Sequence, residues 1–345
     1  PGVAGDAAAS PVLSVPRSAR ASRALDVAAP VADGRATSAS VGSAAQHNGA
    51  ECLATCYFKR EAAELETLAW APTARQRRHY AFRTGAIYDG EWLGNQRHGL
   101  GTQIWPDGAV YIGEWRENRA AGHGRFAHSD GDVYTGQWSE DHAHGRGVYL
   151  HREGTRFEGE FVEDLQQGFG VERWPDGSRF AGEFAQGRKS GGGVYDWADG
   201  SSYAGQWREN QIDGCGMYTG AEGRVYRGSW RQSMMHGCGS YRWADGRLYE
   251  GQHHCDQKSG FGVFTWSDER RYEGYWASGR QHGAGRLCRA GSGAEARLAL
   301  WVKGERAMWL EEAPCRQPPP CGQREEAPQE EAPALLRSAV PGDGL

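Results

Sequence analysis

The chain has 345 residues, a formal net charge of −5, 51 glycines and an 11% aromatic content. Over residues 80–310 it carries 27 Lys and Arg against 30 Asp and Glu, so it lacks the basic face of a nucleic-acid binder. No apolar run of about 18 residues is present to write a membrane-spanning helix. The eight cysteines (Cys52, Cys56, Cys215, Cys238, Cys255, Cys288, Cys315 and Cys321) include no CxxC pair, which favours reduced thiols in a cytosolic setting over a disulfide framework.

Residues 1–57 are low in complexity, rich in Ala, Ser, Val and Pro. Such a segment buries too little apolar surface to offset its chain entropy and is expected to be disordered. Arg17, Arg20, Arg23 and Arg35 among Ser and Ala loosely resemble a transit peptide, although Asp6, Asp26 and Asp33 count against one. Residues 58–79 read as a short helix and a basic linker. Good helix formers fill Phe58 to Trp70, Pro72 stops the helix, and Leu65, Leu68 and Ala69 share a side that would cover the open end of the array downstream. The run from Arg75 to His79 reads as a solvated turn, with contact to anionic lipid as the alternative.

From Tyr80 to residue 310 the chain is periodic. After a half-repeat (80–87), the pattern aromatic-x-Gly-x-aromatic returns every 23 residues through 88–294. Its aromatic pairs are Tyr88 and Trp92, Tyr111 and Trp115, Tyr134 and Trp138, Phe157 and Phe161, Phe180 and Phe184, Tyr203 and Trp207, Tyr226 and Trp230, Tyr249 and His253, and Tyr272 and Trp276. A Gly-x-Gly comes after each pair, from Gly99/Gly101 to Gly283/Gly285. Nine copies without an insertion indicate a stacked array, not a single globular core.

Each repeat supplies two strands, because Tyr88, Gly90 and Trp92 alternate with period two, as do Gly99, Gly101 and Gln103. Pro106-Asp107-Gly108 suits a three-residue hairpin loop with a glycine bulge. Gly94 to Arg97 suits a four-residue hairpin. These loop lengths place Trp105 beside Ala109, Gln103 beside Tyr111, Gly101 beside Gly113 and Gly99 beside Trp115. They also place Tyr88 beside Gln103, Gly90 beside Gly101 and Trp92 beside Gly99. Every Trp then has glycine neighbours, whose missing side chains make room for the rings. The expected fold is all-β: one elongated, twisted antiparallel meander, roughly 85–95 Å long at two strands per repeat. Its other face, with pairs such as Asp89/Glu91 and Glu158/Glu160, should be wet.

Phe157, Phe161, Phe180 and Phe184 should make the middle of the aromatic face its most apolar part. Residues 295–310 read as a cap, with Arg297 to Val302 as the final edge strand. Residues 311–345, rich in Pro, Glu and Gln, read as a disordered acidic tail.

No nucleotide, hydrolase or metalloprotease motif is present, so no catalytic, cofactor or metal residues are assigned. His253-His254-Cys255-Asp256 is the densest set of metal-capable groups, but successive strand residues point to opposite faces. Cys215 and Cys238, at one phase of neighbouring repeats, would lie about 9.6 Å apart, too far for a disulfide; both read as free structural thiols.

The Tyr-x-Gly-x-Trp, His-Gly-x-Gly and Asp-Gly submotifs resemble the MORN (membrane occupation and recognition nexus) repeat family. That resemblance implies a non-catalytic scaffold that associates with proteins, near a membrane or the cytoskeleton. It also implies two alternatives: a regulatory region like that of phosphatidylinositol-4-phosphate 5-kinases, or an axonemal component like radial-spoke heads. The expected partner-binding groove is the row of motif aromatics named above, His253 excepted. Partners would be proteins and, with less support from so even a charge, a phospholipid surface; open sheet edges permit homodimers.

Overall fold

The computed structural model describes residues 53–68, 74–290 and 296–310. The expected disorder of 1–57 is overturned at 53–57, which are helical; the remainder of it, 1–52, and the expected disorder of 311–345 lie outside the described residues. A single sheet of 21 strands runs from Arg75 to Trp309, each strand antiparallel to its chain neighbours. Each repeat gives a seven-residue and a nine-residue strand, as in Ile87–Leu93 and Gln96–Ile104.

Between repeats the register is the expected one: Gly99 faces Trp115, Gly101 faces Gly113 and Gln103 faces Tyr111. The Pro106-Asp107-Gly108 loop is a three-residue loop as read. Gly108 has φ +91, its amide donates to Trp105 at 3.0 Å, and Trp105 donates to the carbonyl of Ala109 at 3.0 Å.

Within each repeat the register departs from expectation. Tyr88 faces Gln103 and Gly90 faces Gly101, but Trp92 faces Arg97, not Gly99. The hairpin is a two-residue turn at Gly94-Asn95, and the extra length is taken up by a bulge at Gly99. Corresponding turn residues are left-handed at both positions, as in Glu117 and Asn118 (φ 51 and 70), the signature of the hairpin turn that matches strand twist. The first glycine of each Gly-x-Gly is also left-handed, as at Gly99 with φ +70, so glycine is required there by backbone conformation. A bulge leaves an amide without a ladder partner. The motif's Glu or Gln supplies one: His123 N–H donates to Glu114 Oε1 at 2.9 Å, and Cys215 N–H to Gln206 Oε1 at 2.8 Å.

The turns themselves are stacked. Asn118 N–H donates to the Arg97 carbonyl at 3.1 Å while its side-chain oxygen accepts from Arg97 N–H at 2.7 Å. Asp141 with Ala120 and Asn210 with Lys189 repeat the pattern.

Both ends of the array are more built than expected. Arg75–Ala81 is not a turn but the first strand, pairing Tyr80 with Tyr88 and Arg78 with Gly90; its alternation satisfies the otherwise open ladder of the next strand. At the far end Arg297–Val302 forms as read, but Glu305–Trp309 adds a further strand and is the edge among the described residues. In place of one helix over 58–70 there are two, α1 (Leu53–Lys59) and α2 (Ala62–Thr67). The chain bends at Glu61 (φ −98, ψ 0), whose fully buried carboxylate accepts from Trp105 Nε1 at 3.2 Å and Thr84 Oγ1 at 3.0 Å. No described helix is long and apolar enough to cross a membrane. Cys215, Cys255 and Cys288 are free thiols as read. Cys238 is instead disulfide-bonded; the strand spacing excludes only Cys215 as its partner.

Candidate functional site

The motif aromatics form one continuous ladder. Each leading ring meets edge-on both its own repeat's second ring and the next repeat's: Tyr111 lies 5.0 Å from Trp115 and 5.2 Å from Trp138, at interplanar angles of 85°. The ladder ends at Trp301 of the C-terminal cap, 5.4 Å from Tyr272 and opposite Gly283. Edge-to-face geometry puts positive ring edges on negative faces, adding to the gain from burial itself.

It is the leading Tyr, not the Trp, that fills the space left by the glycines. A β-carbon added to Gly147 would lie 2.5 Å from Cε2 and from the hydroxyl oxygen of Tyr134. The Tyr134 hydroxyl then donates to the Gln137 carbonyl at 2.9 Å, and Tyr88, Tyr111, Tyr203, Tyr226, Tyr249 and Tyr272 repeat that bond. Burial pushes these phenols well above their usual range. Four motif indoles, those of Trp92, Trp115, Trp138 and Trp276, donate to a backbone carbonyl of the strand before, as in Trp115 Nε1 to the Gly101 carbonyl at 3.3 Å.

All the motif aromatics expected to line a groove, from Tyr88 to Trp276, are buried, none more than 7% exposed. They are the core of the ribbon. The surface presented beyond them is a second row from the end of each long strand and its loop: Tyr149, Trp174, Trp197, Tyr218, Trp243 and Trp266, all half-buried against that core. The sequence held a signal for this row, since a Trp recurs at the phase of Trp105 in four later repeats.

Over the first repeats this second row is covered. Tyr57 of α1 meets Trp105 at 5.2 Å and Phe126 at 5.4 Å, and Phe58 meets Tyr111, Trp115 and Trp138 at 5.2–5.7 Å. Polar contacts fix the pose: Tyr57 Oη to Ser129 Oγ at 3.1 Å, and Tyr80 Oη and Arg83 N–H donating to the Glu64 carboxylate at 2.9 and 2.8 Å. The consequence is visible in burial. Trp105 is 1% exposed, whereas Trp174, Trp197, Trp243 and Trp266 at the same phase stay half-buried.

The face also contains cations. Arg97, fully buried, donates to Gln103 Oε1 at 2.9 Å and the Asn118 carbonyl at 2.7 Å, and lies 4.1 Å from the Trp115 ring centre; burial lowers its pKa to about 10, leaving it charged. Lys189 and Glu172 form a buried pair at 2.7 Å, with the ammonium 5.2 Å from Phe180. The Phe-rich middle is therefore not the most apolar part of the face, since it holds this buried ion pair. Lys258 Nζ sits 4.8 Å from the rings of both Phe264 and Trp276, and burial, with Arg247 second, lowers its pKa to about 8.

His253 takes the place of the eighth Trp and keeps the ladder, edge-on to Tyr226 at 5.2 Å and Tyr249 at 5.1 Å. Burial first, and the Lys258 ammonium second, lower its pKa to about 4. The unfolded chain therefore takes up this proton first. The His253 contribution to stability is full above pH 6.5 and is lost as pH falls from about 6.5 to about 4, on the order of 3 kcal/mol in all. Urea unfolding at pH 7.5 and 4.5 checks this. His253→Trp should lose less stability than the natural chain on acidification, and equal losses would refute the assignment.

The outer face is polar with scattered apolar exposure at Leu100, Ile112, Phe169 and Tyr275. On that face His236, His254 and Cys255 cluster.

No curated protein sequence matches the chain. Among solved structures, the TCP domain of Drosophila melanogaster SAS-4 (dCPAP), in complex with a proline-rich motif of Ana2, is 12% identical, with 59% of this chain and 94% of that one covered and a TM-score of 0.27. The CPAP G-box domain is 12% identical, with coverage of 62% and 100% and a TM-score of 0.28. Virginiamycin B lyase from Staphylococcus aureus is 11% identical, with coverage of 68% and 87% and a TM-score of 0.14. At such scores these likenesses carry no argument. The MORN repeat family matches nine consecutive segments: 88–110, 111–133, 134–156, 157–179, 180–202, 203–223, 226–246, 249–269 and 272–292. With more than half its length matched and its glycine-backed aromatic ladder unbroken across all nine copies, the chain belongs to the MORN repeat family.

Proposed function

We propose that the chain is a non-catalytic docking scaffold whose second aromatic row receives short helical segments bearing adjacent aromatic residues. The observation that carries this reading is α1. The chain's own Tyr57-Phe58 pair lies across Trp105 and Phe126, while Trp174, Trp197, Trp243 and Trp266, at the phase of Trp105, stay half-buried. Because the repeat is regular, what fits one step fits others along the ribbon. Half-exposed Trp and Tyr side chains are the types that dominate docking energetics, offering large rigid area at low entropic cost. The partner is thus a protein segment of α1-like chemistry. The buried motif rings, Phe161 and Phe184 among them, act by holding the floor of this surface.

The test is a titration of the full chain with a synthetic peptide of residues 53–68, monitored by tryptophan fluorescence. Saturable binding is expected. Replacing Trp197 and Trp243 with Ser should weaken it markedly while the strand signal in circular dichroism is kept. Binding unchanged by both replacements, or no binding to the natural chain, would overturn the reading.

A further inference from the structure

We propose that His236, His254 and Cys255 form a single-chain site for a borderline-soft divalent cation of the Zn²⁺ class, on the face opposite the aromatic ladder. Their candidate ligand atoms all lie within 4.8 Å of one another. Zn–N distances near 2.0–2.1 Å and a Zn–S distance near 2.3 Å put ligand atoms of one tetrahedron somewhat closer than that, within reach of small side-chain rotations.

The topology explains how residues that diverge in sequence converge in space. Gly237 faces His253 across the strands Met234–Arg242 and Leu248–His254. One step further along the register, His236 stands beside His254, and their ring centres are 5.0 Å apart. His253 points into the aromatic core and takes no part. Cys255 opens the two-residue turn with φ 47, and that left-handed step returns its thiol to the face of His254. The constraint that separates neighbouring strand residues thus removes only His253; the second imidazole comes from the adjacent strand.

The cluster is particular to this copy. His98, His144 and His282 share the phase of His236, but the same register step sets them beside Arg116, Val162 and Val302. Where Cys255 stands, other repeats carry Glu117, Glu140, Glu163 and Glu209. Here a histidine and a thiol replace a mixed set of Arg, Val and Glu side chains at adjoining positions, which shifts the donor set from hard oxygen to nitrogen and sulfur. Imidazole and thiolate suit Zn²⁺ and its neighbours in the transition series rather than Ca²⁺ or Mg²⁺. Three protein ligands leave the fourth position of a tetrahedron to water. On binding, the thiol gives its proton to solvent and the sulfur ligates as thiolate.

The test is a titration of the purified full chain with Co²⁺ as a spectroscopic stand-in, with Zn²⁺ in competition. One equivalent per chain should bring up a near-ultraviolet thiolate-to-cobalt band that Zn²⁺ displaces. Cys255→Ser should remove the band. His236→Ala should weaken Zn²⁺ on the order of a hundredfold, at or beyond the loss usual for outer partners of a site. Cys215→Ser should change neither. All three side chains are at least partly exposed, so these variants fold. Absence of the band, a band that persists in Cys255→Ser, or one ion per two chains would overturn the proposal.

Discussion

Replacing Gly147 with valine should destabilise the array by about 3 kcal/mol or more, the upper range for forcing side-chain volume into a packed core. The backbone is not the obstacle, since Gly147 is not among the left-handed glycines. The obstacle is the Tyr134 ring, which would meet the new β-carbon at 2.5 Å. The ring has no free direction: Trp138 is 5.1 Å from it on one side and Phe161 5.0 Å on the other, and its hydroxyl is tied to Gln137. Gly108→Ala makes a useful contrast, because no atom lies within 4 Å of the added carbon. The cost there is only that of a left-handed alanine, about 1 kcal/mol. Chemical denaturation of the two variants separates packing from conformation.

Replacing Phe58 with alanine should undock α1 without unfolding the sheet. A buried Phe truncated to Ala costs about 3–5 kcal/mol, and two helices of seven and six residues have little stability of their own to absorb that loss. Hydrogen exchange on the natural chain should show protected amides in α1 and α2. In Phe58→Ala that protection should fall to the level of a free peptide, with strands beyond Phe157 unchanged, because stability in an array is local to neighbouring repeats. Trp105 and Phe126 then become exposed, and tryptophan fluorescence should shift to the red. Unchanged protection in both helices would contradict the view that the aromatic pair holds them.

How far the sequence carried depended on which feature set each piece of geometry. Pro106-Asp107-Gly108 admits one loop length, so the pairing of Gly101 with Gly113 and of Gln103 with Tyr111 was readable from the sequence alone. At the other hairpin, a four-residue loop and a two-residue turn with a bulge use the same number of residues. Counting does not separate them. The discriminating signals were chemical: Asn or Asp at the second turn position (Asn95, Asn118, Asp141, Asp164, Asn210, Asp256) and Glu or Gln three residues after the leading aromatic, placed to satisfy the amide that the bulge frees. Because the bulge moves the first glycine off the Trp of its own repeat, the role of filling the glycine gap passes to the Tyr.

The candidate surface was less legible for a related reason. The most regular rings are the most buried, since a residue that packs identically in nine copies is part of the core. The side chains available to a partner are the less regular ones, such as Tyr149 and Trp197. Tyr57-Phe58 was visible as an apolar pair, but its seat over Trp105 and Phe126 depends on contacts roughly 50–70 residues apart, which local propensity does not encode. His236 with His254 was hidden likewise, since only the pairing of adjacent strands brings them together.

If each leading Tyr occupies the volume its glycine neighbour gives up, the two residues must be energetically coupled. A double-mutant cycle on Tyr134→Ala and Gly147→Val measures that coupling. Where ring and glycine share one space, valine fills part of the cavity left by the absent ring. The pair of changes should then cost less than the sum of the two alone by about 1.5 kcal/mol or more; costs that add to within about 0.5 kcal/mol would mean that the two do not share it.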